Sequence, residues 1–282
     1  MVAEVAEVVE LEAGPVTYRS VGPEDGPVVL FVHGLLVDGS LWHGVADHLA
    51  DQGFRAITPD WPLGSHRTPM AEDADLSPRG VARLVLDFIA ALDLGPVTLV
   101  GNDTGGAICQ LVIDADPEPV ERLVLTNCDA FESFPPAFFK PLFRLMRLPG
   151  LPWLLMQPQR LTAIRHAAGF GPLVTKPLDA DQTRRWVTPF LRDGGIRRDT
   201  RKLARGIKPK MLVDVASRFA RYDRPVLVCW APADRFFRPE LARRLVDAFP
   251  DARLVEIADA RTFLALDQPE RVADEIATFA KS

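Results

Sequence analysis

The stretch Val97-Thr98-Leu99-Val100-Gly101-Asn102-Asp103-Thr104-Gly105-Gly106 constrains this chain more than any other. A short apolar run meets Gly-x-Asp-x-Gly-Gly, and a helical pattern with Ile108, Leu111 and Val112 follows. The pattern predicts strand, tight turn, helix. Small residues around one polar residue let the backbone reverse sharply and leave the Asp103 side chain alone at the tip. One reading is a plain strand-to-helix turn in which Asp103 caps the helix. The other is a nucleophile elbow whose carboxylate attacks an electrophile and forms an ester of its own side chain.

The surrounding chain supplies a context for the turn. Residues 8–22 read as two short strands turning at Gly14-Pro15. Pro27 to Val32 is an uninterrupted apolar run, as expected for a strand covered on both faces, and it ends in His33-Gly34-Leu35-Leu36. A helix is expected from Ser40, then a strand over Phe54–Thr58. Ser77-Pro78 is a helix start, and Val81, Leu84, Val85, Phe88, Ile89 and Leu92 form one apolar stripe behind it. After the elbow helix come a strand over Leu123–Thr126, a strand over Pro225–Trp230 with Asp234 beyond it, a helix from Pro239, a strand over Leu254–Ile257 and a helix from Pro269. Such alternation predicts an α/β fold with a mostly parallel central sheet flanked by helices. Ligands of such sheets bind at the carboxyl ends of the strands, so Asp103 and His33-Gly34 are expected to face one crevice.

The alternation breaks near Asp129. Residues 131–221 show no clear strand and carry prolines at 135, 136, 149, 152 and 158. We read them as a helical cap inserted in a core of 1–130 and 222–282. The aromatics Phe131, Phe134, Phe138 and Phe139 open the insertion, either as packing or as the lining of an apolar pocket. From Arg184 to Lys210 the chain is strongly basic, which reads first as a solvated helix face and second as a site for an anion.

The chain has 282 residues, 48% hydrophobic, enough for one large core. Its net charge of −5 argues against a general nucleic-acid binder. The N-terminus is acidic (Glu4, Glu7, Glu10) and does not read as a signal peptide, and no run has membrane-spanning length free of charges or prolines. Cys109, Cys128 and Cys229 are widely spaced and odd in number, which reads as buried free thiols in a reducing, cytoplasmic compartment. No nucleotide or metal motif is present, so no cofactor is expected. The expected partner is a small molecule, with neither nucleic acid nor membrane; the sequence leaves the oligomeric state open.

Together the His-Gly after an early strand, the elbow, the insertion and the acid after a late strand resemble the α/β-hydrolase fold over nearly the whole chain. With Asp at the elbow the chain is similar to the branch holding haloalkane dehalogenases and epoxide hydrolases. The resemblance implies Asp103 as nucleophile and the backbone N–H groups of Leu35 and Thr104 as an oxyanion hole. It implies Asp234 as the acid, with Asp129 as the second candidate, and a histidine base after the last strand. That loop reads Asp259-Ala260-Arg261-Thr262-Phe263, with Thr262 where the base belongs, and no His follows His166. His33 belongs to the oxyanion turn, and His43 and His48 fall in a helix; His66 and His166 are the two from which a relocated base could approach the crevice. A halide-binding Trp beside the nucleophile is replaced by Thr104, and no tyrosine lies well inside the insertion to protonate an epoxide oxygen. Trp153 and Trp186 remain as N–H donors there. Three readings follow. The first is an enzyme acting on a small apolar or amphipathic halide, epoxide or ester through Asp103. The second is a lyase or cyclase using Asp103 as base, and the third is a binding protein that keeps the pocket without catalysis.

Overall fold

The computed structural model describes residues 6–208 and 210–282; Glu4 and Pro209 lie outside the described residues. Eight strands form one sheet in the order β1-β2-β4-β3-β5-β6-β7-β8. The strands β1 (Glu7–Leu11) and β2 (Gly14–Val21) make an antiparallel hairpin, and β2 pairs antiparallel with β4 (Arg55–Pro59). β3 (Val28–Val32), β4, β5 (Val97–Asp103), β6 (Val120–Cys128), β7 (Val226–Trp230) and β8 (Ala252–Glu256) run parallel. β3, β5 and β7 are almost wholly buried, which is why they read as unbroken apolar runs. β8 lies at the sheet edge and is half-exposed. It begins at Ala252 rather than Leu254 and ends before Ile257, because an edge strand need not be apolar throughout.

In the core the helices are α1 (His43–Asp51), α2 (Pro78–Ala91) and α3 (Thr104–Ala115). The first begins later than Ser40, since Gly39–Trp42 is one 3-10 turn held by the Asp38 side chain. Ser77 Oγ accepts the Gly80 amide at 3.2 Å at the start of α2, a cap worth about 1 kcal/mol. Between β6 and β7 come α4 (Lys140–Met146), α5 (Leu151–Met156), α6 (Thr162–Ile164), α7 (Ala180–Arg192), α8 (Gly194–Gly206) and α9 (Met211–Ala216), with no strand of the sheet among them. Several prolines begin elements here: Pro141 and Pro152 stand in the first turns of α4 and α5, where no N–H is missed. The chain closes with α10 (Pro239–Ala248), α11 (Leu264–Asp267) and α12 (Pro269–Ala280). Val45 and Leu49 of α1 pack with Val272 and Ile276 of α12 in one apolar cluster. Val85 of α2, Ile108 of α3 and Leu241 of α10 belong to another.

The inserted helices are tied to the core by polar contacts. Trp186 of α7 donates its ring N–H to Asp38 Oδ1 and Ser40 Oγ, both at 2.9 Å, and its carbonyl accepts from Ser65 Oγ at 2.7 Å. Gln182 reaches the Ser40 carbonyl at 3.1 Å. Part of the basic run is engaged by protein partners. Lys202 donates to the carbonyls of Glu72 and Ala74, Arg198 to the Asp199 carboxylate, and Arg205 to the Arg147 carbonyl. Of these contacts the Lys202 bonds tie the insertion to the core, while the Arg198 and Arg205 bonds lie within the insertion. All three cysteines are free and buried. Among the described residues no helix is long and apolar enough to cross a membrane.

Candidate active site

Because β3, β5, β6, β7 and β8 are parallel, the residues that follow them gather at one edge of the sheet. Asp103 ends β5 with φ 53° and ψ −128°, a conformation that costs a non-glycine residue on the order of 1–3 kcal/mol. It stands at the N-cap position of α3 without the side-chain capping bond that the plain-turn reading expects. Two close approaches make the turn possible. A Cβ on Gly34 would collide with the Asp103 carboxylate, and one on Gly106 would run into Cys128.

The carboxylate of Asp103 lies against two backbone amides. Leu35 N donates to Oδ2 at 3.1 Å, and the Thr104 amide also donates to the group. Burial outweighs these bonds and pushes Asp103 up to about 6, with the Asp234 charge adding to the rise. The Leu35 amide is itself oriented. His33 Nδ1 lies 2.9 Å from the Gly34 carbonyl, which belongs to the same peptide unit as Leu35 N. Trp61 N donates to His33 Nε2 at 2.8 Å, so Nδ1 carries the proton and donates it to Gly34. Burial lowers His33 to about 4, which keeps the ring neutral and this tautomer fixed near neutral pH.

A cavity of about 250 Å³ lies over Asp103. Its floor includes Leu35, Thr104, Asp129, Phe237 and Phe263, and its roof comes from the insertion, with Phe139, Phe143, Leu155, Met156 and Phe170 among the contributors. Asp103, Thr104, Asp129 and Gln159 are its polar side chains. The volume is at the small end for ligand sites, which run from roughly 300 Å³ upward. Of the four early aromatics, Phe139 lines the cavity, Phe134 is packed, and Phe138 is exposed.

Asp234 and Thr262 come together beside this cavity but are not among its lining residues. Thr262 Oγ1 donates to Asp234 Oδ2 at 2.8 Å, and Asn127 Nδ2 donates to the same oxygen at 2.9 Å. Asp234 Oδ1 accepts the amides of Phe236 and Phe237 at 2.7 and 3.2 Å. Burial raises Asp234 in spite of these donors.

Asp129 is 1% exposed and faces the cavity. Its Oδ2 accepts from Thr104 Oγ1 at 3.3 Å, and its Oδ1 is buried without a partner. Burial and the Asp103 charge push it well above the usual carboxylate range. The two histidines open to relocation are elsewhere. His66 Nε2 lies 3.2 Å from Asp199 Oδ2, His166 Nε2 lies 2.9 Å from Thr183 Oγ1, and neither lines the cavity. The indole donors are also spent: Trp153 gives its N–H to the Leu191 carbonyl at 3.1 Å, and Trp186 to Asp38 and Ser40. Both are N–H donors within the insertion, as expected, and neither lines the cavity. Gln159, whose Oε1 is buried and unpartnered, carries no motif and was not expected at the site.

Comparison with known proteins agrees with this architecture. A family model described as alpha/beta hydrolase fold matches residues 27–269. Haloalkane dehalogenase 2 of Mycobacterium tuberculosis is 26% identical over 262 residues, covering 89% of this chain and 87% of its own. A cis-3-alkyl-4-alkyloxetan-2-one decarboxylase of Xanthomonas campestris is 29% identical, covering 93% and 91%. Among solved structures, a haloalkane dehalogenase from Bradyrhizobium elkani superposes with a TM-score of 0.81 at 18% identity, over 98% of this chain and 97% of its own, a likeness of fold. The chain belongs to the α/β-hydrolase fold family, as an enzyme of hydrolase type.

Proposed function

We propose that the chain acts on small apolar electrophiles by forming an ester on Asp103. The observation that carries this is the seating of Asp103. It projects from a strained elbow into an apolar cavity, and the amides of Leu35 and Thr104 hold its carboxylate. A carboxylate fixed in this way attacks carbon with little reorganisation. The same amides stabilise the oxyanion that forms when water cleaves the ester. In this reading residues 131–221 are a cap over a core of 1–130 and 222–282. Thr262 stands in the place of a histidine base, and Asp234, held by four donors, braces the loops around it. The relatives act on two kinds of electrophile by name, haloalkanes and a strained four-membered ring, and both fit a carboxylate nucleophile.

Intact-protein mass spectrometry tests the proposal. The protein is incubated with a panel of alkyl halides, epoxides and activated esters beside Asp103→Asn. Adducts or products that need Asp103 support it. A panel that leaves the parent unmodified and unproductive removes Asp103 as the nucleophile.

A further inference from the structure

The cavity holds a carboxyl group that the preceding scheme leaves idle. Asp129 follows β6 as Asp103 ends the adjacent parallel strand, and its amide donates to the Asp103 carbonyl at 3.3 Å. One carboxyl oxygen is engaged by Thr104 Oγ1. The other is buried, unpartnered and part of a residue lining the same cavity as the nucleophile. A buried polar atom with no partner is costly unless something else satisfies it. Burial and the neighbouring Asp103 charge both favour the protonated form of this carboxyl. None of the five histidines lines the cavity.

We propose that Asp129 is the proton donor and then the water-activating base of this site, and that the substrates are strained cyclic ethers, whose leaving oxygen needs that proton. The proposal rests on Asp103 as nucleophile. In the first step the Asp103 carboxylate bonds to a ring carbon and the carbon–oxygen bond of the ring breaks. The freed alkoxide takes the Asp129 proton. This leaves a hydroxyalkyl ester on Asp103 and a carboxylate at Asp129. Esterification also removes the charge of Asp103, so the ionised Asp129 no longer faces a neighbouring anion. In the second step Asp129 takes a proton from water as the water oxygen bonds to the ester carbonyl. The oxyanion gathers on the oxygen held by Leu35 and Thr104. On collapse the departing alkoxide takes the proton of the new acid, giving a diol, an ionised Asp103 and a protonated Asp129. One residue thereby performs the work of the absent tyrosine and the absent histidine. A carbon–halogen bond offers no oxygen to protonate, so alkylation by a halide needs Asp103 but not the Asp129 proton.

The test uses 1,2-epoxybutane and 1-iodobutane as probes on the parent, Asp129→Asn, Asp129→Glu and Asp103→Asn, read by rapid quench and intact mass. Asn matches a neutral Asp in size and retains an acceptor for Thr104. Asp129→Asn is expected to lose far less rate with the iodide than with the epoxide. It is expected to open the epoxide about 100-fold more slowly or worse, and its butyl ester is expected to outlive that of the parent by a similar factor. Asp129→Glu returns part of the epoxide rate. A second measurement needs no variant: in D2O the epoxide reaction of the parent slows and the iodide alkylation does not. Equal slowing of both probes in Asp129→Asn, or of neither, overturns the role of Asp129. So does a parent whose two reactions respond alike to D2O. Epoxide opening that survives in Asp103→Asn instead overturns the nucleophile, and the two failures are told apart by which variant shows them.

Discussion

Thr262 Oγ1 donates to Asp234 Oδ2 across 2.8 Å, a contact that joins the loop after β8 to the loop after β7. Asn127, at the end of β6, reaches the same carboxylate oxygen at 2.9 Å and accepts the Ala231 amide at 2.7 Å. Asp234 thus knits three strand ends together. Asp234→Ala removes an acceptor from four donors, three of them buried. It is expected to cost about 2–4 kcal/mol and lower Tm by roughly 5–15 °C. Calorimetry measures the loss, and mass spectrometry below the new Tm is expected to find Asp103 still open to alkylation.

Replacing that hydroxyl with an imidazole changes the chemistry available. A threonine is no base near neutral pH, whereas a histidine against Asp234 is tuned to be one. Thr262→His is expected to shorten the lifetime of a butyl ester on Asp103 by roughly 100-fold. The decay of the adduct mass after removal of 1-iodobutane measures it. An unchanged lifetime would mean that the base position at 262 no longer communicates with the cavity.

Alkylation needs Asp103 ionised, and burial has pushed Asp103 up to about 6. The alkylation rate by 1-iodobutane is expected to rise with pH through about 6 and level off above it. Stability moves in the opposite direction. A carboxyl raised above its unfolded value near 3.9 favours the fold while protonated, and that contribution is lost as pH rises through about 6. Asp103→Asn is expected to be more stable than the parent at neutral pH by on the order of 1–3 kcal/mol, with the gap closing toward about pH 4. Urea unfolding at several pH values checks both the sign and the window.

Gly34 leaves no room for a side chain beside the nucleophile. Gly34→Ala would push the Asp103 carboxylate away from the Leu35 amide that His33 orients through the shared peptide. Displacement by about 1 Å is enough to slow alkylation roughly 100-fold. The quench assay reads this loss, and near-unchanged circular dichroism would separate it from unfolding.

The parts of the molecule that depend on near neighbours were legible in the sequence. β3 and β5 announced themselves as unbroken apolar runs because both of their faces are covered, and α2 by Ser77-Pro78. Asp103, Thr104 and Leu35 came with the turns that carry them. Partners brought in from far along the chain were not legible. Trp186 and Asp38 are 148 residues apart, and nothing local to either indicates that the indole N–H is spent. Asp129 was visible as a second acid, but its facing the cavity follows from the parallel register that sets Asp103 opposite Cys128. Pro152 and Pro158 read as interruptions, where each stands in the first turn of a helix. Gln159 reaches the cavity from an irregular helical stretch that has no usable periodicity.

The clasp of Trp186 and Gln182 on Asp38 and Ser40 fixes one side of the roof. The α5 part of the roof is built differently. Leu155 of α5 lines the cavity and is also 45% exposed, and its neighbours Trp153 and Leu154 face water. Part of the wall between the cavity and solvent is therefore an apolar helix, itself tied to α7 by the Trp153–Leu191 bond.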